Sequence, residues 1–172
     1  MYPSLLILKS VNVEKSGVII TTGISTGDPD HATIAFNRGV GGAVDGQASE
    51  SYTATLSSFD LLAPAREPAY TTLSPQGGTA RQFTSFEARI LSQQDLQVLR
   101  DIALQIKQRL PGRPGIATNG PFDVELGLLN GQVYLFQARP FVQNSAAGSI
   151  SYLAEMDQRP QRQRTIDLDA AR

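Results

Sequence analysis

The sequence predicts an α+β fold: a mostly antiparallel sheet, one long amphipathic helix and a β-hairpin. Three observations carry this expectation. Residues 121–140 hold two alternating runs around Asn130-Gly131, the strongest short-range mark of a hairpin. Residues 92–112 repeat apolar side chains at helical spacing between a capping signal and a Pro-Gly stop. The chain ahead of residue 57 breaks into short apolar runs separated by turn-forming residues. With 172 residues, 41% of them hydrophobic, the chain can bury one substantial core. One domain over 1–142 and a polar tail over 143–172 are therefore expected.

Taken in order, 5–11 and 17–22 read as two apolar strands joined through the polar stretch Asn12 to Ser16, a first hairpin. Asp28-Pro29-Asp30 marks a turn ahead of a strand at 32–37, and 52–56 reads as a further short strand. Segment 57–78 carries Pro64, Pro68, Pro75 and Gly77-Gly78, and reads as a long irregular loop, uncommon unless functional. The helix begins at Ser92, an N-cap with Asp95 three residues on in a capping-box position, and Leu91 is placed to staple onto Leu96. Leu96, Leu99, Ala103, Ile106 and Leu110 form its apolar stripe, read as core and not as a partner groove. Lys107 and Arg109 suit the negative end of the helix, and Pro111-Gly112 stops it.

The hairpin is also where chemistry is expected. Asp123 and Glu125 lie on its first strand, Gln137 and Arg139 on its second. Such groups are costly to bury without partners, and a carboxylate, an amide oxygen and a guanidinium together suit a divalent cation holding a polyphosphate. A two-residue turn would pair Leu129 with Gln132 and send Glu125 and Gln137 to opposite faces. A three-residue loop, Leu129 to Gly131 with Gly131 left-handed, is preferred because it sets Glu125 against Leu135 and Asp123 against Gln137 on one face, with Arg139 just beyond. Phe122, Val124, Leu126 and Leu128 would then join Tyr134, Phe136 and Ala138 on the other, apolar face. Elsewhere, Gly39-Val40-Gly41-Gly42 reads either as a phosphate cradle through backbone N–H groups or as turn-forming glycines in a strand-to-strand connection.

The wording of these segments resembles a known family. Asp123-Val124-Glu125, Asn130-Gly131 and Leu135-Phe136-Gln137-Ala138-Arg139 are similar to the end of the ATP-grasp nucleotide-binding domain of phosphoenolpyruvate synthase and pyruvate phosphate dikinase, where an Asp-Ile-Glu strand precedes a Leu-Gln-x-Arg strand. Ser16-Gly17-Val18-Ile19-Ile20-Thr21 looks like that family's Ser-Gly-Val-x-Phe-Thr, with Thr26-Gly27 at its Thr-Gly. Residues 39–46 resemble its Gly-Leu-Gly-Glu-x-Val-x-Gly. The three motifs occur in the family's order across roughly residues 5–142. The resemblance implies an ATP-grasp-like C-terminal subdomain that binds ATP and Mg²⁺ in a phosphotransferase. Glu125 and Gln137 would hold the metal, Arg139 would neutralise charge on the transferred group, and Asp123 would orient Arg139 or a metal-bound water. Lys9, Ser10 and Val11 would meet the base mainly through backbone groups, with Gly39 and Gly41 near the phosphates. It further implies that an N-terminal ATP-grasp subdomain, and a phosphohistidine domain, lie elsewhere in a longer protein. Departures stand at Gly23-Ile24, at Gly42 and at Ser49-Glu50, each expected to remove a polar or rigid feature from the nucleotide side. They favour the alternative of a non-catalytic scaffold or protein-binding module.

A formal charge of −1 gives no electrostatic case for nucleic acid or an anionic membrane. The absence of Cys excludes disulfides and thiolate metal sites and fits a reducing, cytoplasmic setting. No run approaches the roughly 20 apolar residues of a membrane span, and the start of the chain lacks a signal-peptide pattern. His31, the only histidine, reads as a turn residue, and Asp28 and Asp30 as turn formers bonded to their own backbone.

Overall fold

The computed structural model describes residue 7 and residues 9–41, 48–85 and 87–142. Contacts divide the chain into units Met1–Phe141 and Val142–Arg172. Only Val142 of the second is described, so the expected tail over 143–172 lies outside the described residues, and the fold below is that of the first unit.

Six strands form one antiparallel sheet in the order β4-β3-β2-β1-β7-β8. They are β1 (Lys15–Ile20), β2 (Ala32–Arg38), β3 (Glu50–Ala54), β4 (Phe59–Ala63), β7 (Phe122–Leu129) and β8 (Gln132–Pro140). A separate antiparallel pair joins β5 (Ala69–Leu73) to β6 (Thr79–Phe83), and α1 spans Gln93–Arg109.

The strand period of two sorts the sheet into faces. Ile19, Ile34, Phe36, Tyr52, Val124 and Leu126 are almost wholly buried and share one core with Leu96, Leu99 and Ala103 of α1. Full burial of a side chain such as Leu99 contributes about 1.5–3 kcal/mol. Gly17 lies on this face because there is no room for more: a Cβ there would stand 2.1 Å from the Ala35 carbonyl oxygen and 2.6 Å from the Phe36 ring. The opposite face carries Ser16, Val18 and Ile20 of β1, with Gly127, Glu125 and Asp123 of β7 alongside them.

The helix is the element most fully specified locally. Ser92 Oγ accepts the Asp95 N–H at 3.1 Å while Asp95 accepts the Ser92 N–H at 2.8 Å, completing the capping box. Lys15 of β1 reaches Asp95 at 2.6 Å and ties the helix start to the sheet. Burial works against the Asp95 carboxylate, but the bonds from Lys15 and Ser92 outweigh it and hold its pKa below the ordinary value.

Two expectations about the strands are corrected. The described part of 5–11, residues 7 and 9–11, forms no strand, and both edges of β1 are taken by β2 and β7, leaving no place for a hairpin with the preceding segment. Segment 57–78 is not one long loop: it contains β4 and β5, and its prolines punctuate them. Pro64 and Pro68 fall between the two strands, while Pro75 sits in the Ser74–Gly78 turn leading into β6. Among the described residues no helix is long and apolar enough to cross a membrane.

Candidate functional site

The β7–β8 hairpin positions the four polar residues, by a route the sequence did not reveal. Its turn has two residues, Asn130 (φ 53°) and Gly131 (φ 73°), as a type I′ turn requires, and Leu129 pairs with Gln132. The preferred three-residue loop is therefore wrong. A regular ladder from this turn would have separated Glu125 from Gln137. Instead the register shifts between Glu125 and Leu126: Leu126 faces Leu135, Glu125 faces Gln137, and Phe136 is the extra residue of a β-bulge. Glu125 thus opposes Gln137 and not Leu135, and Asp123 opposes Arg139 and not Gln137. All four lie on the face away from α1. Val133 and Ala138 supply β8's contribution to the core, in place of the expected Tyr134 and Phe136.

Within this cluster Arg139 and Asp123 form a closed pair. Arg139 Nε and Nη2 both donate to Asp123 Oδ2, at 2.9 and 2.7 Å. The Asp123 side chain is only 14% exposed, whereas that of Arg139 is 56% exposed. These hydrogen bonds, reinforced by the charges of Asp123 and Glu125, raise the Arg139 pKa above its already high ordinary value, so the guanidinium is permanently charged. Among the described residues none hydrogen-bonds the side chain of Glu125 or Gln137. Their oxygens are uncommitted, and a carboxylate opposite an amide is the hard oxygen donor set that Mg²⁺ accepts.

Beside the cluster, on the same face, lies an open cavity of about 500 Å³. Four of the residues implied as nucleotide contacts line it: Lys9, Ser10, Val11 and Gly41. Gly39 does not. Its N–H donates to the Glu14 carbonyl at 2.7 Å and the next N–H, of Val40, to the Thr71 carbonyl at 2.9 Å, so neither is available to cradle a phosphate. Gly39 (φ 71°) has a packing reason instead, since a Cβ there would stand 2.0 Å from Thr71 O as β5 passes. Gly42 and the rest of its motif through residue 46 lie outside the described residues.

Ser16, Tyr134 and Phe136 also line the cavity, and sequence reasoning did not assign them to a site. The three-residue loop puts both aromatics in the core; the two-residue turn by itself sets Tyr134 opposite Gly127, on the face away from α1, and the bulge then brings Gln137 to Glu125. Gly23 and Ile24 belong to a turn in which Gly23 N–H donates to the Asp28 carbonyl and Ile24 N–H to Thr33 Oγ1. Glu50, expected on the nucleotide side, faces the helix and is 2% exposed.

The turn residues bind one another. Asp28 Oδ1 accepts the Asp30 N–H at 2.9 Å, and His31 Nε2 lies 3.5 Å from Asp28 Oδ2. Lys107 caps the turn by donating to the Pro29 and His31 carbonyls, and burial lowers its pKa despite Asp30 and Asp28 nearby. Compared with protein families and with curated proteins, the chain matches no family model and no curated sequence.

Proposed function

We propose that this domain is the ATP- and Mg²⁺-binding part of a phosphotransferase, an ATP-grasp-like subdomain of the phosphoenolpyruvate synthase and pyruvate phosphate dikinase type. The observation that carries the reading is the pairing of Glu125 with Gln137 immediately beside Asp123 with Arg139, on one face of one hairpin. A bound Mg²⁺ would supply positive charge that offsets that of the nucleotide phosphates. Glu125 and Gln137 are the residues that would hold it. Arg139 uses two N–H groups on Asp123 and keeps three, enough to meet a phosphoryl oxygen as charge develops there. Asp123 fixes the direction of that guanidinium.

A second reading, a scaffold or protein-binding module without chemistry, is favoured by one feature. Asp123 is committed to Arg139, so Glu125 is the one free carboxylate of the cluster, and no group of three or more His, Asp or Glu side chains suited to a metal occurs among the described residues.

Titration of the full chain with ATP, with and without Mg²⁺, separates the two. The phosphotransferase reading expects binding near about millimolar, roughly −4 kcal/mol, that requires Mg²⁺ and weakens about tenfold in Glu125→Gln. Loss of Arg139 in the complete protein is expected to slow ATP consumption by about 10²–10³-fold without changing thermal stability. ATP binding indifferent to Mg²⁺ and to Glu125, or none at about 10 mM, would leave the scaffold reading in place.

A further inference from the structure

Among the described residues that line the cavity, one buried polar group is not used by the fold itself. Ser16 stands in the middle of the sheet, between Asn37 of β2 and Gly127 of β7, and is 7% exposed. Among the described residues no donor or acceptor reaches its Oγ. Asn37 Oδ1 already accepts the Ser49 hydroxyl at 2.5 Å, and Gly127 has no side chain to offer. Over Gly127 sits Val13, whose methyls are 2.6 and 2.9 Å from where a Cβ would be. A buried hydroxyl without a partner is unfavourable, and an alanine would fill the same place at no such cost.

The cavity is the direction from which a partner can come. Ser16 lines it, and rotation about one bond carries the hydroxyl among three staggered positions. The walls are apolar and aromatic, with Val11, Val40, Leu73, Tyr134 and Phe136 among them, and among the described residues Lys9 is the one charged residue of the lining. Such walls suit a flat unsaturated ring, and a buried hydroxyl without a partner among them suits a ring with a polar edge.

We propose that Ser16 is a specificity residue of the candidate nucleotide site, its hydroxyl bonding the polar edge of a planar heterocycle held against Tyr134 and Phe136. The inference rests on the nucleotide reading above and extends it to the ring. Because a hydroxyl both donates and accepts, Ser16 takes a ring nitrogen or an exocyclic amine, and rejects a ring with an apolar edge.

The test uses two probes on the full chain, followed by NMR: adenosine for the cavity, and tripolyphosphate with Mg²⁺ for the hairpin cluster. Ser16→Ala is expected to weaken adenosine about three- to tenfold, the effect of one neutral hydrogen bond, and to leave Mg²⁺-tripolyphosphate unchanged. Ser16→Thr, which keeps the hydroxyl, should restore most of the adenosine affinity. The melting temperature of Ser16→Ala should equal or exceed the parent's, since the change deletes an unsatisfied group; a structural role would move it down. Equal adenosine affinity in Ser16→Ala, no adenosine binding by the parent, or a lowered melting temperature would each overturn the assignment. Ser16-dependent adenosine binding with no Mg²⁺-tripolyphosphate binding would refute the phosphotransfer reading while upholding Ser16.

Discussion

Glu50 anchors the start of α1 beneath the sheet, and replacing it by glutamine should be among the most damaging isosteric changes in the domain. Its Oε2 accepts the Ile90 N–H at 3.0 Å, and its Oε1 accepts the Leu91 N–H at 2.9 Å and the Tyr52 hydroxyl at 3.1 Å. All three donors are buried, and they immediately precede the Ser92 cap or lie within the core. Burial raises the Tyr52 pKa, with Arg89 opposing and Glu50 adding to the effect, so the phenol remains a donor at neutral pH. An amide has one oxygen and one NH₂, so in Glu50→Gln a donor replaces an acceptor for at least one N–H. A hydrogen bond to a charged group is worth about 1.5–3 kcal/mol, and a buried donor left facing another donor adds a further penalty, giving about 2–4 kcal/mol in all. For a domain of this size 1 kcal/mol shifts the melting temperature by roughly 3–5 °C, so Glu50→Gln should melt roughly 10 °C below the parent. Thermal melting and urea unfolding at neutral pH measure it. A variant melting within about 2 °C of the parent would refute the view that this carboxylate holds the segment entering α1.

Two further outcomes follow from the geometry. Asp95, whose pKa is depressed in the fold, stabilises fully above the ordinary carboxylate value of 3.8 and loses that contribution as pH falls through its folded-state pKa. The stability gap between the parent and Asp95→Asn, followed by urea unfolding, should therefore be widest at neutral pH and close below pH 3.8. Gly127→Ala drives a methyl to within 2.6 Å of Val13, so it should destabilise by about 1–3 kcal/mol in urea unfolding and weaken adenosine binding, because Val13 is part of the cavity lining.

The readable parts of the fold were those written in neighbouring residues. Ser92, Leu91 and Asp95 announce the helix start within four positions, and Leu96, Leu99 and Ala103 follow at its period. β2 and β3 were legible from short apolar runs between turns. β4 and β5 were not, because Phe59–Ala63 runs along an exposed edge without alternation and prolines flank both strands. Nor did local sequence say that β1 pairs with β7, a partner more than a hundred residues away. The polar residues of the hairpin were legible as a set, but their register was not. Asn130-Gly131 correctly signals a two-residue turn; the preference for three residues came from requiring a regular ladder, and the bulge at Phe136 removes that requirement.

The same bulge decides what the face away from α1 can hold. It doubles the residues opposite Glu125, so Gln137 meets the carboxylate while Phe136 turns to the cavity. Ser16 is one side-chain repeat along β1 from Val18, the neighbour of Glu125, roughly 7 Å along the strand and roughly 5 Å across to β7. On the proposed reading that spacing leaves a sugar's width between a ring at Ser16 and phosphates at Glu125. On that reading Glu125 and Gln137 would supply two oxygens to a cation that takes six, and the rest would have to come from phosphate and water. Metal and nucleotide should accordingly bind together and only weakly apart. With one carboxylate against a divalent charge such a site would stay positive, and Arg139, charged, half-exposed and held in place by Asp123, would add to that field on the same face. On the proposed reading a site of this kind would recognise a polyanion delivered with its cation, and Tyr134 and Phe136 would decide what the polyanion carries.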